Sequence, residues 1–204
     1  ASDLGFIDPI LVGDEEKIKS IASKIELKNY EVVNSTSAEE SAKIAVKLVK
    51  ENKAKVLMKG LVNTSVYLRA ILNRENGLRS GRLLSLLAVY ELPQYHKLLY
   101  CTDSGINVAP DLKQKKDIMT NALLSMKSIG IENPKTAILT ANEMLDPKVQ
   151  STVDADALVK MVNNNEIPSC IAEGPIAFDV AFDEHAAKHK GIDSKIAGDV
   201  DLLV

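Results

Sequence analysis

Short apolar runs alternate with helix-length amphipathic stretches along almost the whole of this chain, and few folds accommodate that alternation. Residues 9–12 read as a strand, Gly13-Asp14 as a turn and 15–24 as a helix. Residues 30–34 form the next strand, and Ser37-x-x-Glu40 is a capping box opening a helix through Val49. A third strand is expected over 56–59. Strands this short, separated by helices of ten or more residues, imply parallel β-α-β units, so the expected fold class is α/β with mainly parallel sheets.

Around 76–82 the alternation breaks in Asn76-Gly77-Leu78-Arg79-Ser80-Gly81-Arg82, which has the composition of a hinge or domain crossing. The expected domains are therefore 1–82 and 83–204. Beyond the break, 83–92 is apolar and 98–102 reads as a strand. Asp111-x-x-Gln114 caps a helix that runs to about Ile129 and stops at Gly130. Strands are expected at 136–140, 169–172 and 200–204, with helices near 154–162 and 183–190.

The chain has 204 residues, of which 46% are apolar, enough for a substantial core. Its 25 basic and 28 acidic residues leave a net charge of −3, which is not a nucleic-acid footprint. No run of about 18 apolar residues is present to span a membrane. Cys101 and Cys170 lie far apart in strand-like contexts and read as reduced, buried thiols of a cytoplasmic protein. No Walker-type phosphate loop, dinucleotide turn or Gly-x-Ser-x-Gly elbow occurs. His185 and His189 have metal-pair spacing but no third ligand, so no metal is expected.

The segment most suggestive of chemistry runs from Val56 to Arg69. It reads as strand, glycine turn and helix, with Asn63, Thr64 and Ser65 at the helix start. First-turn N–H groups lack intrahelical partners and face whatever lies beyond the N-terminus, which suits an anion. Ser65 and Arg69 are four apart and share a face, and an arginine fork matches phosphate well. An ordinary N-cap would equally explain Asn63, Thr64 and Ser65. A second polar loop, Asp103-Ser104-Gly105, follows a strand, although an Asx turn with Gly105 at positive φ also accounts for it. Glu173-Gly174-Pro175 reads as a third loop on the same sheet edge.

Taken together, several segments resemble the phosphate acetyl/butyryl transferase family. They are Leu57-Met58-Lys59-Gly60-Leu61-Val62-Asn63-Thr64-Ser65, Gly77-Leu78-Arg79-Ser80-Gly81-Arg82-Leu83-Leu84-Ser85 and Thr102-Asp103-Ser104-Gly105-Ile106-Asn107-Val108-Ala109-Pro110. Glu173-Gly174-Pro175-Ile176-Ala177-Phe178-Asp179, Ala187-Lys188-His189-Lys190-Gly191-Ile192 and Ala197-Gly198-Asp199-Val200-Asp201 follow in the family's order. The Met58-Lys59-Gly60-Leu61-Val62 wording favours the butyryl branch. The resemblance implies two three-layer α/β/α domains, isocitrate/isopropylmalate dehydrogenase-like, with an interdomain cleft. It also implies acyl transfer between coenzyme A and inorganic phosphate (butyryl-CoA plus phosphate giving butyryl phosphate and CoA), by direct attack without an acyl-enzyme. CoA thioester and phosphate would be substrates, with no permanently bound cofactor, in a cytoplasmic homo-oligomer.

By the same resemblance, Arg69 and Ser65 are the catalytic candidates. Lys59, Gly60, Asn63, Thr64, Ser65 and Arg69 would bind phosphate or CoA, with Asp103, Ser104, Gly105, Glu173 and Gly174 from the second domain. Family members continue beyond the last strand with a Ser-Arg pair and a carboxylate proposed as general base. The chain is accordingly expected to lack N- and C-terminal parts and to turn over poorly as it stands. The alternatives are a phosphate acetyltransferase and a non-catalytic CoA- or acyl-phosphate-binding protein.

Overall fold

The computed structural model describes residues 1–204. The chain divides into two compact units, Ala1–Gly81 and Arg82–Val204.

In the first unit, β1 (Ile10–Gly13) and β2 (Glu31–Asn34) pair in parallel, Leu11 opposite Val32. They are joined through α1 (Glu15–Lys24), the right length for a parallel crossover. Asp14 caps α1 by accepting from the Lys17 N–H at 3.0 Å, and Glu15 and Glu16 sit where the helix dipole favours anions. α2 (Ala38–Lys50) starts at Ser37, whose hydroxyl accepts from Glu40 N–H at 3.2 Å. The expected capping box is only half formed, because the Glu40 carboxylate accepts from the N–H and hydroxyl of Thr36 instead.

Residues 56–59, expected as a strand, adopt no strand structure. The first unit's sheet has two strands and neither pairs with this segment. Val56, Met58 and Leu61 are consequently exposed. The segment is anchored instead by the Tyr67 hydroxyl, which donates to Leu57 O at 3.1 Å. Leu11, Ile18, Ala45, Leu57 and Tyr67 are among the side chains around an apolar cavity of about 440 Å³ in this unit. α3 (Thr64–Ile71) follows and packs on α2. It ends in a tight return. Gly77 donates to Asn73 O and Leu78 to Ile71 O, and a Cβ at Gly77 would fall 2.3 Å from Ile71 O. Glycine is required there by close approach of backbone.

The second unit is a five-stranded sheet of order β3-β4-β7-β5-β6. Its strands are β3 (Ala88–Tyr90), β4 (Leu99–Cys101), β5 (Lys135–Leu139), β6 (Ile171–Ile176) and β7 (Leu202–Leu203). Only the edge strand β3 is antiparallel. Strand alternation sends neighbouring residues to opposite faces. Tyr100, Ile138 and Leu202 join one core with Met119, Met126 and Leu158 of α4 (Leu112–Ser128) and α5 (Gln150–Asn163). Leu99, Ala137 and Leu203 join a second core with Val180 and Ala187 of α6 (Phe178–Phe182) and α7 (Glu184–His189). Both faces of the sheet are covered, as parallel sheets require. α4 carries the complete Asp111–Gln114 capping box and stops where Gly130 turns to φ 89°.

At the N-terminal ends of β4, β5 and β7 lies an ionic cluster. Asp199 accepts from Lys135 at 2.6 Å and pairs with Lys97 at 2.7 Å and His96 Nε2 at 2.8 Å. Asp201 accepts from the Lys135 N–H and from Lys97, each at 2.7 Å. The lysine donors, Lys135 foremost and then Lys97, outweigh desolvation and hold the Asp199 carboxyl well below the usual carboxylate range. A depressed carboxylate contributes stability above its unfolded pKa and loses it as pH falls toward the folded value. Thermal stability should therefore drop as pH goes below about 4. Melting curves across that range should show a smaller acid-dependent drop for Asp199→Asn; an identical pH profile would remove Asp199 as a source of it.

Candidate functional site

The residues from Lys59 to Arg69 form one continuous stretch around the start of α3. Lys59 and Gly60 border the apolar cavity of the first unit, and the Lys59 ammonium donates to Val62 O at 3.3 Å. Asn63 is the N-cap. Its side-chain oxygen accepts both the N–H and the hydroxyl of Ser65, each at 2.9 Å. Both Ser65 donors are thus occupied by Asn63, while Thr64 is exposed in the first turn.

Arg69 lies in the last turn of the eight-residue α3, on the Ser65 face and about 6 Å further along the axis. Its side chain lines a groove against α2, beside Lys43, Lys47 and Lys50. It enters no ion pair, so its guanidinium is uncommitted. The α2 lysines were not singled out from sequence. Their i, i+4, i+7 spacing was visible, but it reads equally as an ordinary solvated helix face.

In the second unit, Asp103 sits two residues beyond β4 and organises its own loop. Its carboxylate accepts the N–H groups of Gly105, Ile106 and Asn107 at 3.2 Å, and also the Asn107 side-chain amide. Burial pushes this carboxyl up, but the Asn107 side chain and the loop amides outweigh it and hold the group below its usual range. The loop is an Asx-type turn, but Gly105 is not at positive φ as expected. Ser104 is exposed, and space is open around Gly105.

Glu173 and Gly174 are not in a loop. They lie within β6, where Glu173 pairs with Ala137 and the parallel ladder continues past them to Leu139 and Ile176. The Glu173 carboxylate is taken up by the Ser194 hydroxyl at 2.6 Å and the Lys195 N–H at 2.7 Å. Gly174 is dictated by packing, since a Cβ there would fall 2.8 Å from Ile138 Cβ. With β7 and β5 lying between β4 and β6, Asp103 and Glu173 are about three strand spacings, or ~14 Å, apart. Their loops do not converge as expected.

His96 belongs to the Asp199 cluster. Both cysteines are free and half-buried, and burial pushes each thiol up, away from nucleophilic reactivity. No three His, Cys, Asp or Glu side chains gather in a metal-binding group, and no helix is long and apolar enough to cross a membrane.

This arrangement defines a mixed α/β protein with parallel-dominated sheets, a class it shares with solved phosphotransacylases. It superposes on a branched-chain phosphotransacylase from Enterococcus faecalis with a TM-score of 0.79 and 27% identity, covering 97% of this chain and 79% of that one. A phosphotransacetylase from Streptococcus pyogenes, 20% identical over 98% of this chain and 69% of that one, shares the fold with a TM-score of 0.76. The phosphate acetyl/butaryl transferase family model matches residues 2–204, and the chain belongs to that family.

Among its relatives, phosphate butyryltransferase of Clostridium acetobutylicum is 45% identical over 98% of this chain and 67% of its own length. That of Clostridium beijerinckii is 39% identical over 100% of this chain and 68% of its own. Phosphate acetyltransferase of Rhizobium meliloti is 38% identical over 100% of this chain and 65% of its own. The chain thus spans about two thirds of the length of these curated relatives.

Replacing Gly174 with Ala should destabilise the second unit by about 1–3 kcal/mol through overpacking against Ile138. Denaturant unfolding measures it, and a loss within error of zero would show that β6 shifts freely.

Proposed function

We propose that this chain is a phosphate acyltransferase moving a short acyl group between coenzyme A and inorganic phosphate, with butyryl-CoA as the preferred thioester. The observation carrying this reading is its 45% identity, across 98% of its length, to a protein named phosphate butyryltransferase. Identity to a named phosphate acetyltransferase is lower, at 38%.

In this reaction a phosphate oxygen attacks the thioester carbonyl carbon, the C–S bond breaks, and CoA leaves as a thiolate that gains a proton. The step needs an anion held in place and charge stabilised as it develops, and it needs no protein nucleophile. Phosphate binds at the start of α3, displacing the Asn63 side-chain oxygen from the N–H and hydroxyl of Ser65. Thr64 adds a first-turn donor, and Lys59 with Gly60 borders the site from the preceding segment. The helix dipole contributes about 0.3–1 kcal/mol for an anion there, so Arg69 must supply a large share of the remaining stabilisation.

Of the second-unit candidates, Ser104 and Gly105 retain free surface for a ligand, whereas Asp103, Glu173 and Gly174 act by shaping the loop and the strand. A boundary at residue 82 between two α/β/α domains, isocitrate/isopropylmalate dehydrogenase-like, belongs to this reading. So does a cytoplasmic homo-oligomer without a resident cofactor. Family membership supports these points.

Phosphate-dependent CoA release should be faster with butyryl-CoA than with acetyl-CoA. Arg69→Ala should lower kcat/KM by roughly 10²-fold while leaving the melting temperature unchanged. Wild-type kinetics in that variant would remove Arg69 from the site, and a preference for acetyl-CoA would move the chain to the acetyl branch.

A further inference from the structure

The sheet of the second unit has two edges, and they are finished differently. β6 carries Gly174-Pro175 within its run, and a proline there has no N–H to offer an added strand. β3, at the other edge, has no such guard. From Leu83 to Leu92 there is no proline, lysine or glycine, and Glu91 is the single charge. Its pairing with β4 runs in unbroken register, with no bulge to twist the edge away. Edge strands of natural proteins are ordinarily blunted by one of these devices.

The direction of the free backbone groups follows from β4. Tyr100 and Thr102 donate to Asp201 O and Leu203 O at 2.8 and 2.9 Å, so Leu99 and Cys101 turn toward β3. Their register partners Tyr90 and Ala88 therefore bond to β4, and Val89 between them points its N–H and C=O outward. Alternation turns Leu87 and Glu91 the same way. The side chains along this edge are apolar and exposed: Leu86, Val89, Tyr90 and Leu92, with Val89 at 52%. Leu124 adds to them from α4, one turn beyond Asn121, which holds Leu83 O and Ser85 Oγ just upstream of β3.

The charges at the two ends of this segment are of opposite sign. Glu91 follows β3 and enters no ion pair. Arg82 precedes it and donates its Nε to Asn121 Oδ1 at 2.8 Å, again without a carboxylate partner. Antiparallel pairing of two such strands carries the Glu91 of each copy toward the Arg82 end of the other. Parallel pairing would set Glu91 against Glu91, which is destabilising.

We propose that β3 pairs antiparallel with β3 of a second copy of this chain, about a two-fold axis at Val89. Val89 exchanges both backbone bonds with its own counterpart, and Leu87 does so with Glu91 of the partner subunit. The contact is isologous, so it closes on two copies. Strand pairing alone falls short of the ~800 Å² that each partner of a stable dimer buries, and Leu86, Tyr90, Leu92 and Leu124 supply apolar surface for the remainder. This gives a face to the homo-oligomer of the acyltransferase reading, but it rests on the fold of the second unit and not on acyl transfer.

Sedimentation velocity of the whole chain from about 1 to about 100 μM tests this. The parent should sediment at twice the 22.2 kDa chain mass or a multiple of that dimer. Val89→Pro removes an outward N–H and no bond to β4, so it should halve the mass and leave the circular dichroism unchanged. Val89→Cys sets two Cα atoms about 5.5 Å apart across the axis, within disulfide range, and mild oxidation should give a covalent dimer. Glu91→Cys lies ~14 Å from its own counterpart and should not crosslink. If Val89→Pro fails to fold, the two cysteine variants decide the matter. A parent that stays at 22.2 kDa throughout, parental mass in a folded Val89→Pro, or no crosslink at Val89→Cys would overturn the proposal.

Phosphate-dependent CoA release from the same proteins keeps the two readings apart. Turnover by a parent that never dimerises sinks the β3 interface and leaves acyl transfer standing. A Val89-dependent dimer without turnover sinks acyl transfer and leaves the interface.

Discussion

The second unit hangs on the two-residue strand β7. Leu202 and Leu203 lie between β4 and β5, and each sends its side chain into a different core. Backbone bonds of Asp201 and Val204 extend the ladder by one residue at either end, yet so short a strand is a modest hold for the centre of a sheet, since each hydrogen bond contributes only about 1 kcal/mol net. The hold is reinforced just upstream. Asp199 and Asp201 draw Lys97 from the start of β4 and Lys135 from the start of β5 onto the chain entering β7. Asp199 is about two-fifths exposed, so water screens these pairs, and their value lies as much in fixing register as in energy.

With β7 in register, the opposite ends of the same strands are positioned too. The loop after β4 holds Asp103, and that carboxylate uses its acceptor capacity on its own loop. Its role is to shape the segment that presents Ser104 and Gly105. In the first unit the corresponding organiser is Asn63, which occupies both Ser65 donors. Each polar loop is therefore held by an internal carboxylate or amide, and a ligand at α3 competes with a group already seated there.

Much of the fold was legible because local signals agreed with it. Helix starts at Ser37, Asn63 and Asp111 were readable from cap chemistry, and the period of apolar residues placed most strands within a residue or two. The failures are tertiary. Nothing local distinguishes residues 56–59 from a strand; what is absent is a hydrogen-bonding neighbour in the first unit's sheet. Glu173-Gly174-Pro175 has loop composition, yet Gly174 is there because β5 passes too close for a side chain. The Asp199 cluster joins residues about a hundred positions apart in sequence, and no spacing rule reveals such a contact. Arg69 was legible as a candidate, but the α2 lysines it faces were not.

Direct attack of phosphate on the thioester is tested most plainly by isotope exchange with this protein. Labelled free coenzyme A is mixed with unlabelled butyryl-CoA, with and without phosphate, and label entering the thioester is followed. Direct attack predicts exchange only when phosphate is present, because butyryl phosphate is then the sole route by which the acyl group leaves one CoA for another. Exchange without phosphate would reveal an acyl-enzyme, and no exchange under either condition would contradict the assignment of acyl transfer itself.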